Sequence, residues 1–124
     1  MVKGRKITGG KYRAFRKKKK YSLPGTPRKV KLRKTKKKII RGIGGNKKTV
    51  LLSTEFVNII NIETKKAKKV KILNVLETPS DKFLARQNIL VKGAIIKTEL
   101  GKAKVTNRPS QEGSVQAVLI EKEE

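Results

Sequence analysis

The 124-residue sequence contains no cysteine and no histidine. The absence of thiols excludes disulfides, thiolate zinc sites and cysteine nucleophiles. The absence of imidazole removes the usual acid–base side chain and the commonest metal ligand. We therefore expect no metal and no other cofactor.

Long apolar runs are also missing, and the longest uninterrupted one covers residues 117–120. A transmembrane helix needs about 20 apolar residues, and a signal peptide needs an apolar stretch of roughly 7–15. We expect the chain to stay in the cytoplasm, where it is made, without a membrane partner.

Acidic residues are absent from the first 48 positions, and the first one is Glu55. Residues 1–48 hold 21 of the 34 Lys and Arg residues, whereas residues 49–124 hold the other 13 and all nine Asp and Glu residues. The formal net charge is +25. Self-repulsion on this scale opposes compaction, so a polyanion is expected to neutralise it. The candidates are nucleic acid, an anionic membrane surface and an acidic protein.

The charge division coincides with a division in apolar content. Only 13 of the first 48 residues are apolar, against 31 of the remaining 76. The first part is interrupted by glycine and proline and shows no sustained helical or strand period. It cannot bury enough apolar surface to offset its ordering entropy. We predict a basic arm over residues 1–40, disordered in the free protein, and a small β-barrel domain over residues 41–124.

The second part is patterned mainly as strands. Residues 50–62 are rich in β-branched and apolar side chains, and residues 69–72 and 102–106 alternate between basic and small or apolar side chains. The alternation changes phase at residues 73–75, which predicts a bulge. A polar hairpin loop is expected at 63–68, and a tight turn at Leu100 and Gly101 between strands 94–99 and 102–107. The alternation points five side chains inward, namely Val70, Ile72, Val105, Ala117 and Leu119.

One short helix is predicted at about 79–87. Thr78 would be its N-cap, Pro79 its first residue and Asp81 its acidic third position. Five or six short strands on one small core favour a closed or nearly closed barrel, because closure removes exposed edges. The predicted fold is therefore mainly β, a small barrel with one short helix after an extended basic arm.

Aromatic residues are interleaved with the basic runs of the arm, at Tyr12, Phe15 and Tyr21. Such rings can stack on unpaired bases for about 1–3 kcal/mol each. Arginine can also bind phosphate oxygens with two parallel hydrogen bonds, which lysine cannot do. A solvated or nuclear-targeting tail is the alternative, but the interleaved rings and the missing acids favour nucleic acid. RNA is favoured over DNA because irregular arms that order on binding suit folded RNA with its splayed bases.

The segment Arg-Gly-Ile-Gly-Gly-Asn-Lys-Lys at 41–48 is rich in glycine. A phosphate-binding glycine loop needs a helix after it, and a strand follows here instead, so a nucleotide site is not expected. Two interpretations remain, a close backbone approach to RNA and a plain turn. We predict that the RNA-binding residues are Lys3, Arg5, Lys6, Lys11, Tyr12, Arg13, Phe15, Arg16, Lys17, Lys18, Lys19, Lys20, Tyr21, Arg28, Lys29, Lys31, Arg33, Lys34, Lys36, Lys37, Lys38, Arg41, Asn46, Lys47 and Lys48.

No catalytic constellation is visible in the sequence. The acids at 121, 123 and 124 cluster at a chain end, and the others are scattered beside lysine-rich segments where surface pairing explains them. Nothing resembles a nucleophile with its base. A further basic set, Lys102, Lys104 and Arg108, is either an ordinary solvent face or a place where the barrel contacts RNA.

Several segments match the pattern of a known family. They include Thr-Gly-Gly-Lys at 8–11, Gly-Gly-Asn-Lys at 44–47, Lys-Ile-Leu-Asn-Val at 71–75 and Gly-Lys-Ala-Lys-Val-Thr-Asn-Arg-Pro at 101–109. Over nearly its whole length the chain resembles the archaeal–eukaryotic type of ribosomal small-subunit protein eight, and its short length is similar to the archaeal form. The resemblance implies a barrel on the body of the small subunit and an arm threaded into ribosomal RNA. It also implies neighbouring ribosomal proteins as partners, no small-molecule substrate and no enzymatic activity.

Three alternatives are weighed against this role. A ribosome-assembly factor of the same family is the nearest one. A DNA compactor would need a helical pattern that is missing here, and a membrane-surface protein would need an acyl site or an apolar helical face.

Overall fold

The computed structural model describes residues 4–13 and 17–122. Short 3-10 turns occur at Lys20–Ser22 and Ile43–Gly45. Within the described residues, nine strands and one α-helix follow in the order β1 (Val30–Leu32), β2 (Lys36–Arg41), β3 (Lys47–Thr54), β4 (Phe56–Ile60), β5 (Ala67–Glu77), α1 (Lys82–Arg86), β6 (Ile89–Leu90), β7 (Ile95–Thr98), β8 (Gly101–Val105) and β9 (Gln116–Lys122).

Five of the strands, in the order β4-β5-β7-β8-β9, form a closed barrel. Successive neighbours are antiparallel, and the parallel pairing of β4 with β9 closes the ring. Closure satisfies both edges of every barrel strand, so the barrel presents no open edge to solvent. The predicted closed β-barrel with one short helix is confirmed.

Side chains along the barrel strands alternate between the interior and the solvent, and the inward-pointing ones fill the barrel. In β8, buried Gly101, Ala103 and Val105 alternate with exposed Lys102 and Lys104. Four of the five side chains predicted to point inward are buried, Val70, Ile72, Val105 and Ala117. The fifth, Leu119, is partly buried and packs against the same core.

The predicted bulge is also present, because the pairing of β5 with β7 shifts register between Ile72 and Asn74. A second shift follows between Val75 and Glu77. The turn expected at Leu100 and Gly101 lies at residues 99–100, and Gly101 begins β8 with a φ of 122°. The polar hairpin loop occupies residues 61–66, close to the expected 63–68.

A second sheet, in the order β2-β3-β1-β6, lies outside the barrel and is not among the predicted elements. Its strands β1 and β2 fall mostly within residues 1–40, where the sequence shows no strand period. Val30 of β1, Leu51 of β3 and Leu90 of β6 are nevertheless at most 1% exposed and belong to the same hydrophobic cluster as the barrel interior. Both sheets therefore share one core.

The chain passes from the second sheet into the barrel at a single residue, Glu55. The run 50–62, which is rich in β-branched and apolar side chains, is thus divided between β3 and β4. Thr54, which is 4% exposed, stabilises this corner. Its hydroxyl donates to the backbone oxygen of Phe56 at 3.2 Å and accepts from the backbone nitrogen of the same residue at 3.3 Å.

The helix prediction is correct in place and wrong in its cap. Helix α1 begins at Lys82, and its N-cap is Asp81, whose carboxylate accepts a hydrogen bond from Phe83 N at 2.9 Å. Thr78 is buried, and its hydroxyl donates to the backbone oxygen of Asp81. The Thr78 hydroxyl therefore stabilises the turn before the helix, and Pro79 lies in that turn rather than in the helix.

Candidate nucleic-acid interface

Every predicted RNA-binding residue that the structure describes is exposed to solvent. Lys3, Phe15 and Arg16 lie outside the described residues. The remaining residues form three groups along the chain. The first is a turn near the N-terminus, the second is the segment at 17–29, and the third is the segment at 30–48, which contains β1 and the β2–β3 hairpin.

The first group is a compact turn. Arg5 and Lys11 form an antiparallel bridge, and the Arg5 guanidinium donates to the carbonyl of Gly9 at 2.9 Å. Gly9 has a φ of +81°, a conformation that costs glycine little. The Lys6 ammonium lies 5.8 Å from the centre of the Tyr12 ring. The turn thus gathers three basic side chains and one exposed ring on a short stretch of chain.

The second group, residues 17–29, contains the 3-10 turn at Lys20–Ser22 and otherwise follows an irregular exposed path. It contacts the folded part through Arg28, whose Nε donates to the carbonyl of Ser110 at 3.1 Å. The structure therefore gives Arg28 an intramolecular contact in addition to its predicted role toward RNA.

The third group includes the hairpin of β2 and β3. Lys36, Lys37, Lys38 and Arg41 belong to β2, and Lys47 and Lys48 begin β3. Arg41 is directly opposite Lys47 in the register, so both side chains lie on the same face. Like charges at opposite positions destabilise a sheet. A bound polyanion would neutralise both cations and so relieve this repulsion.

The glycine-rich segment is the turn of this hairpin. Gly42 N donates to the carbonyl of Asn46 at 2.6 Å, and Asn46 Nδ2 donates to the carbonyl of Ile43 at 3.1 Å. Gly44 and Gly45 have φ angles of 70° and 78°, which other residues adopt at a cost. The turn interpretation is therefore correct for the backbone. The side chain of Asn46, predicted to contact RNA, bonds within the turn.

The charge of the second sheet is of one sign only. Strands β1, β2, β3 and β6 contain seven Lys and Arg residues and no Asp or Glu. The strands of the barrel, by contrast, include Glu77 in β5 and Glu121 in β9. The structure thus extends the acid-free character of the N-terminal region onto an ordered sheet surface.

The barrel also carries basic residues, Lys102, Lys104 and Arg108, but one of them pairs with a carboxylate, whereas the strands of the β2–β3 hairpin contain no Asp or Glu. The Lys102 ammonium forms an ion pair with the Glu121 carboxylate at 2.8 Å. Lys104 and Arg108 are exposed, but the nearby carboxylate makes this face less positive than the second sheet.

Aromatic side chains are absent from the described core. Tyr12, Tyr21, Phe56 and Phe83 are 54%, 78%, 39% and 67% exposed. Phe56 was not among the predicted site residues, although its alternation with buried Val57 and Ile59 indicates that it points outward. The Lys69 ammonium lies 4.8 Å from the centre of its ring.

Other kinds of site find little support in the described residues. They contain no group of three or more carboxylates that could hold a metal ion. None of the helices in residues 4–13 and 17–122 has the length and apolar character needed to cross a membrane.

Comparison with known proteins identifies the family. The family model described as "Ribosomal protein S8e" matches residues 2–120. The small ribosomal subunit protein eS8 of Sulfurisphaera tokodaii is 50% identical over 119 residues, which cover 94% of this chain and 91% of the relative. The proteins of that name from Methanococcus aeolicus and Ignicoccus hospitalis are 49% and 51% identical, over 94% and 95% of this chain and 91% and 92% of their own. The chain therefore belongs to the Ribosomal protein S8e family.

Proposed function

We propose that this chain is a structural constituent of the small ribosomal subunit and has no enzymatic activity. It binds ribosomal RNA through its N-terminal region and docks its barrel on the subunit body. The observation that carries the proposal is that residues 1–48 contain no acid, and that the basic residues described in the N-terminal turn, in 17–29 and in the β2–β3 hairpin are exposed. Family membership supports the ribosomal location, since the relatives described above are named as proteins of the small ribosomal subunit.

The RNA-binding surface has two parts in this proposal. Residues 1–29, the part of the predicted arm that precedes β1, carry 12 Lys and Arg residues, and from here on the arm means these residues. Residues 30–48 carry nine more on or beside β1 and the β2–β3 hairpin. The arm can follow the RNA backbone, because its described segment at 17–29 takes an irregular exposed path. The hairpin holds its cations at a fixed spacing, so it can bind phosphates without the entropy loss of ordering its backbone.

In this proposal the folded domain starts near residue 30, whereas the sequence alone predicts a start at residue 41. Val30 is 0% exposed in the core, and β1 pairs with both β3 and β6. Removal of residues 1–40 would therefore remove core contacts together with the arm. Removal of residues 1–29 spares all nine strands that the structure describes.

The proposed partners are small-subunit ribosomal RNA and neighbouring ribosomal proteins, and the proposed location is the ribosome in the cytoplasm. The exposed basic surface is the side expected to lie on RNA. The Lys102–Glu121 side of the barrel carries both signs of charge. It is therefore better suited to solvent or to a protein neighbour.

An assembly factor of the same family is the competing function, and sedimentation separates the two. A tagged chain is followed by immunoblot through a sucrose gradient of cell lysate. A structural constituent co-migrates with mature small subunits and with translating ribosomes in a one-to-one ratio. An assembly factor would occur only in precursor fractions, and that distribution would overturn the proposal.

A further inference from the structure

Phe56 is an exposed ring on the outer face of the barrel. It begins β4, where Val57 and Ile59 point into the core and Phe56 and Asn58 point out. A phenylalanine that is 39% exposed leaves a substantial apolar area in water. Its opposite neighbour in the register is exposed Lys71 of β5, and the Lys69 ammonium lies 4.8 Å from its ring centre.

The position of Phe56 is set by the corner between the two sheets. The Thr54 hydroxyl bonds both the nitrogen and the oxygen of Phe56, and Ile72 N donates to Glu55 O at 2.8 Å. These bonds fix the backbone on both sides of the ring. A rigid backbone lowers the entropy that a ligand must remove on binding, so the ring is preorganised.

A cleft of about 210 Å³ opens beside the ring. Its lining includes the ammonium-bearing side chains of Lys37 and Lys69 and the polar side chains of Thr35, Asn58 and Ser114. None of the described residues that line the cleft is an Asp or a Glu. The cleft joins the hairpin of the second sheet, through Lys37, to the outer face of the barrel.

We propose that Phe56 stacks on an unpaired RNA base whose phosphate lies in this cleft against Lys37 and Lys69. An exposed ring beside two cations, in a cleft lined by no carboxylate, is the arrangement that binds single-stranded nucleic acid, since the ring holds the base and the cations hold the backbone. On binding, the base takes the place of the Lys69 ammonium over the ring, and that ammonium pairs with the phosphate. The inference rests on the proposed RNA-binding function and adds a defined nucleotide subsite on the barrel.

Phe83 provides a matched comparison. It is also exposed and also has a cation nearby, with Arg86 5.9 Å from the ring centre. Its own backbone nitrogen, however, bonds the Asp81 carboxylate at 2.9 Å. A phosphate near Phe83 would therefore meet a negative charge, and we assign no stacking to this ring.

The chain contains no tryptophan, so a single substitution introduces a unique fluorophore. Phe56→Trp and Phe83→Trp are each prepared in the full-length protein. Each is titrated with in vitro transcribed small-subunit ribosomal RNA, and anisotropy of end-labelled RNA measures binding in the same samples. We expect the indole emission of Phe56→Trp to be quenched with the same midpoint as the anisotropy, and that of Phe83→Trp to stay unquenched.

The outcomes separate this inference from the proposed function. Binding by anisotropy without quenching at position 56 would overturn the stacking site and leave RNA binding intact, and it would assign the ring to a protein neighbour. Equal quenching at both positions would also overturn it, since proximity rather than a defined stack would explain the signal. Absence of binding by anisotropy would overturn the RNA-binding function, and the subsite with it.

A second measurement uses affinity. Phe56→Leu keeps an apolar side chain and removes the ring, whereas Phe83→Leu makes the same change elsewhere. Loss of one stacked base corresponds to about 5- to 150-fold in the dissociation constant. We expect a loss in that range for Phe56→Leu, with an unchanged salt dependence, and a loss of less than about twofold for Phe83→Leu, which removes no stacked base. Equal affinities of the two variants would contradict the inference.

Discussion

Replacement of Val105 by aspartate tests the register of the barrel. Val105 is 1% exposed and belongs to the hydrophobic core, so an aspartate side chain at this position would be buried among apolar residues. Loss of the buried valine side chain lowers the free energy of unfolding by about 1.5–3 kcal/mol. An unpaired buried carboxylate lowers it by about 3–5 kcal/mol more. The sum is comparable to the whole stability of a small domain, about 5–15 kcal/mol. We expect Val105→Asp to lose at least about 20 °C in Tm or to be unfolded at room temperature.

The neighbouring position supplies the control. Lys104 is exposed on the opposite face of the same strand, and Lys104→Asp changes the net charge by two rather than one. If charge alone governed stability, the control would show the larger effect. Thermal unfolding followed by circular dichroism should show the reverse, with Lys104→Asp within a few degrees of the parent chain. Equal Tm values for Val105→Asp and the parent chain would refute the inward placement of this side chain.

Three further predictions concern the arm and the helix. Replacement of Tyr12, Phe15 and Tyr21 by leucine should weaken RNA binding without changing its salt dependence, because stacking releases no counterions; a flatter salt slope in a filter-binding titration would argue against stacking. Asp81→Ala should cost about 0.5–2 kcal/mol in urea unfolding because it removes the N-cap acceptor, and an equal loss in Asp81→Asn would count against the cap. In the free protein, NMR relaxation should show fast backbone motion over residues 4–29 and ordered amides from residue 30; rigid amides throughout the arm would contradict the two-part division.

The barrel was predictable because several of its strands alternate between buried and exposed side chains over most of their length. In β8 and in the first half of β5, lysines on one face identify the other face as the buried one. The phase change in β5 predicted the bulge, since one extra residue exchanges the two faces of a strand. Five or six short strands on one small core then favoured closure, because closure removes exposed edges.

The second sheet was not predictable in the same way. Strand β2 is an edge strand with the sequence Lys-Lys-Lys-Ile-Ile-Arg, and its exposed lysines hide any period of two. Strand β1 is three residues long and depends on parallel pairing with β3, a contact that is distant in sequence. Local pattern carries no information about such pairing, so both strands were assigned to the arm.

The candidate site also has a part that the sequence predicts and a part that depends on contacts between distant residues. Charge and interleaved aromatics are properties of the sequence, and they predicted an exposed basic region before any fold was known. The subsite at Phe56 depends on the corner at Glu55 and on Lys37 of another sheet. Strand-forming residues extend throughout 50–62 and give no sign of a break at Glu55, so the meeting of the two sheets was not predicted.

The salt dependence of binding to small-subunit ribosomal RNA tests the central claim most directly. With about ten phosphate contacts, the intact chain should show a slope of roughly −7 to −9 in log K against log salt, a loss of about four to five decades between about 50 and 200 mM. If contacts are shared in proportion to charge, the chain without residues 1–29 should keep its circular dichroism spectrum and show a slope of roughly −3 to −4. An arm-deleted chain that folds and retains the full slope would contradict the account, because the arm would then neutralise no phosphates.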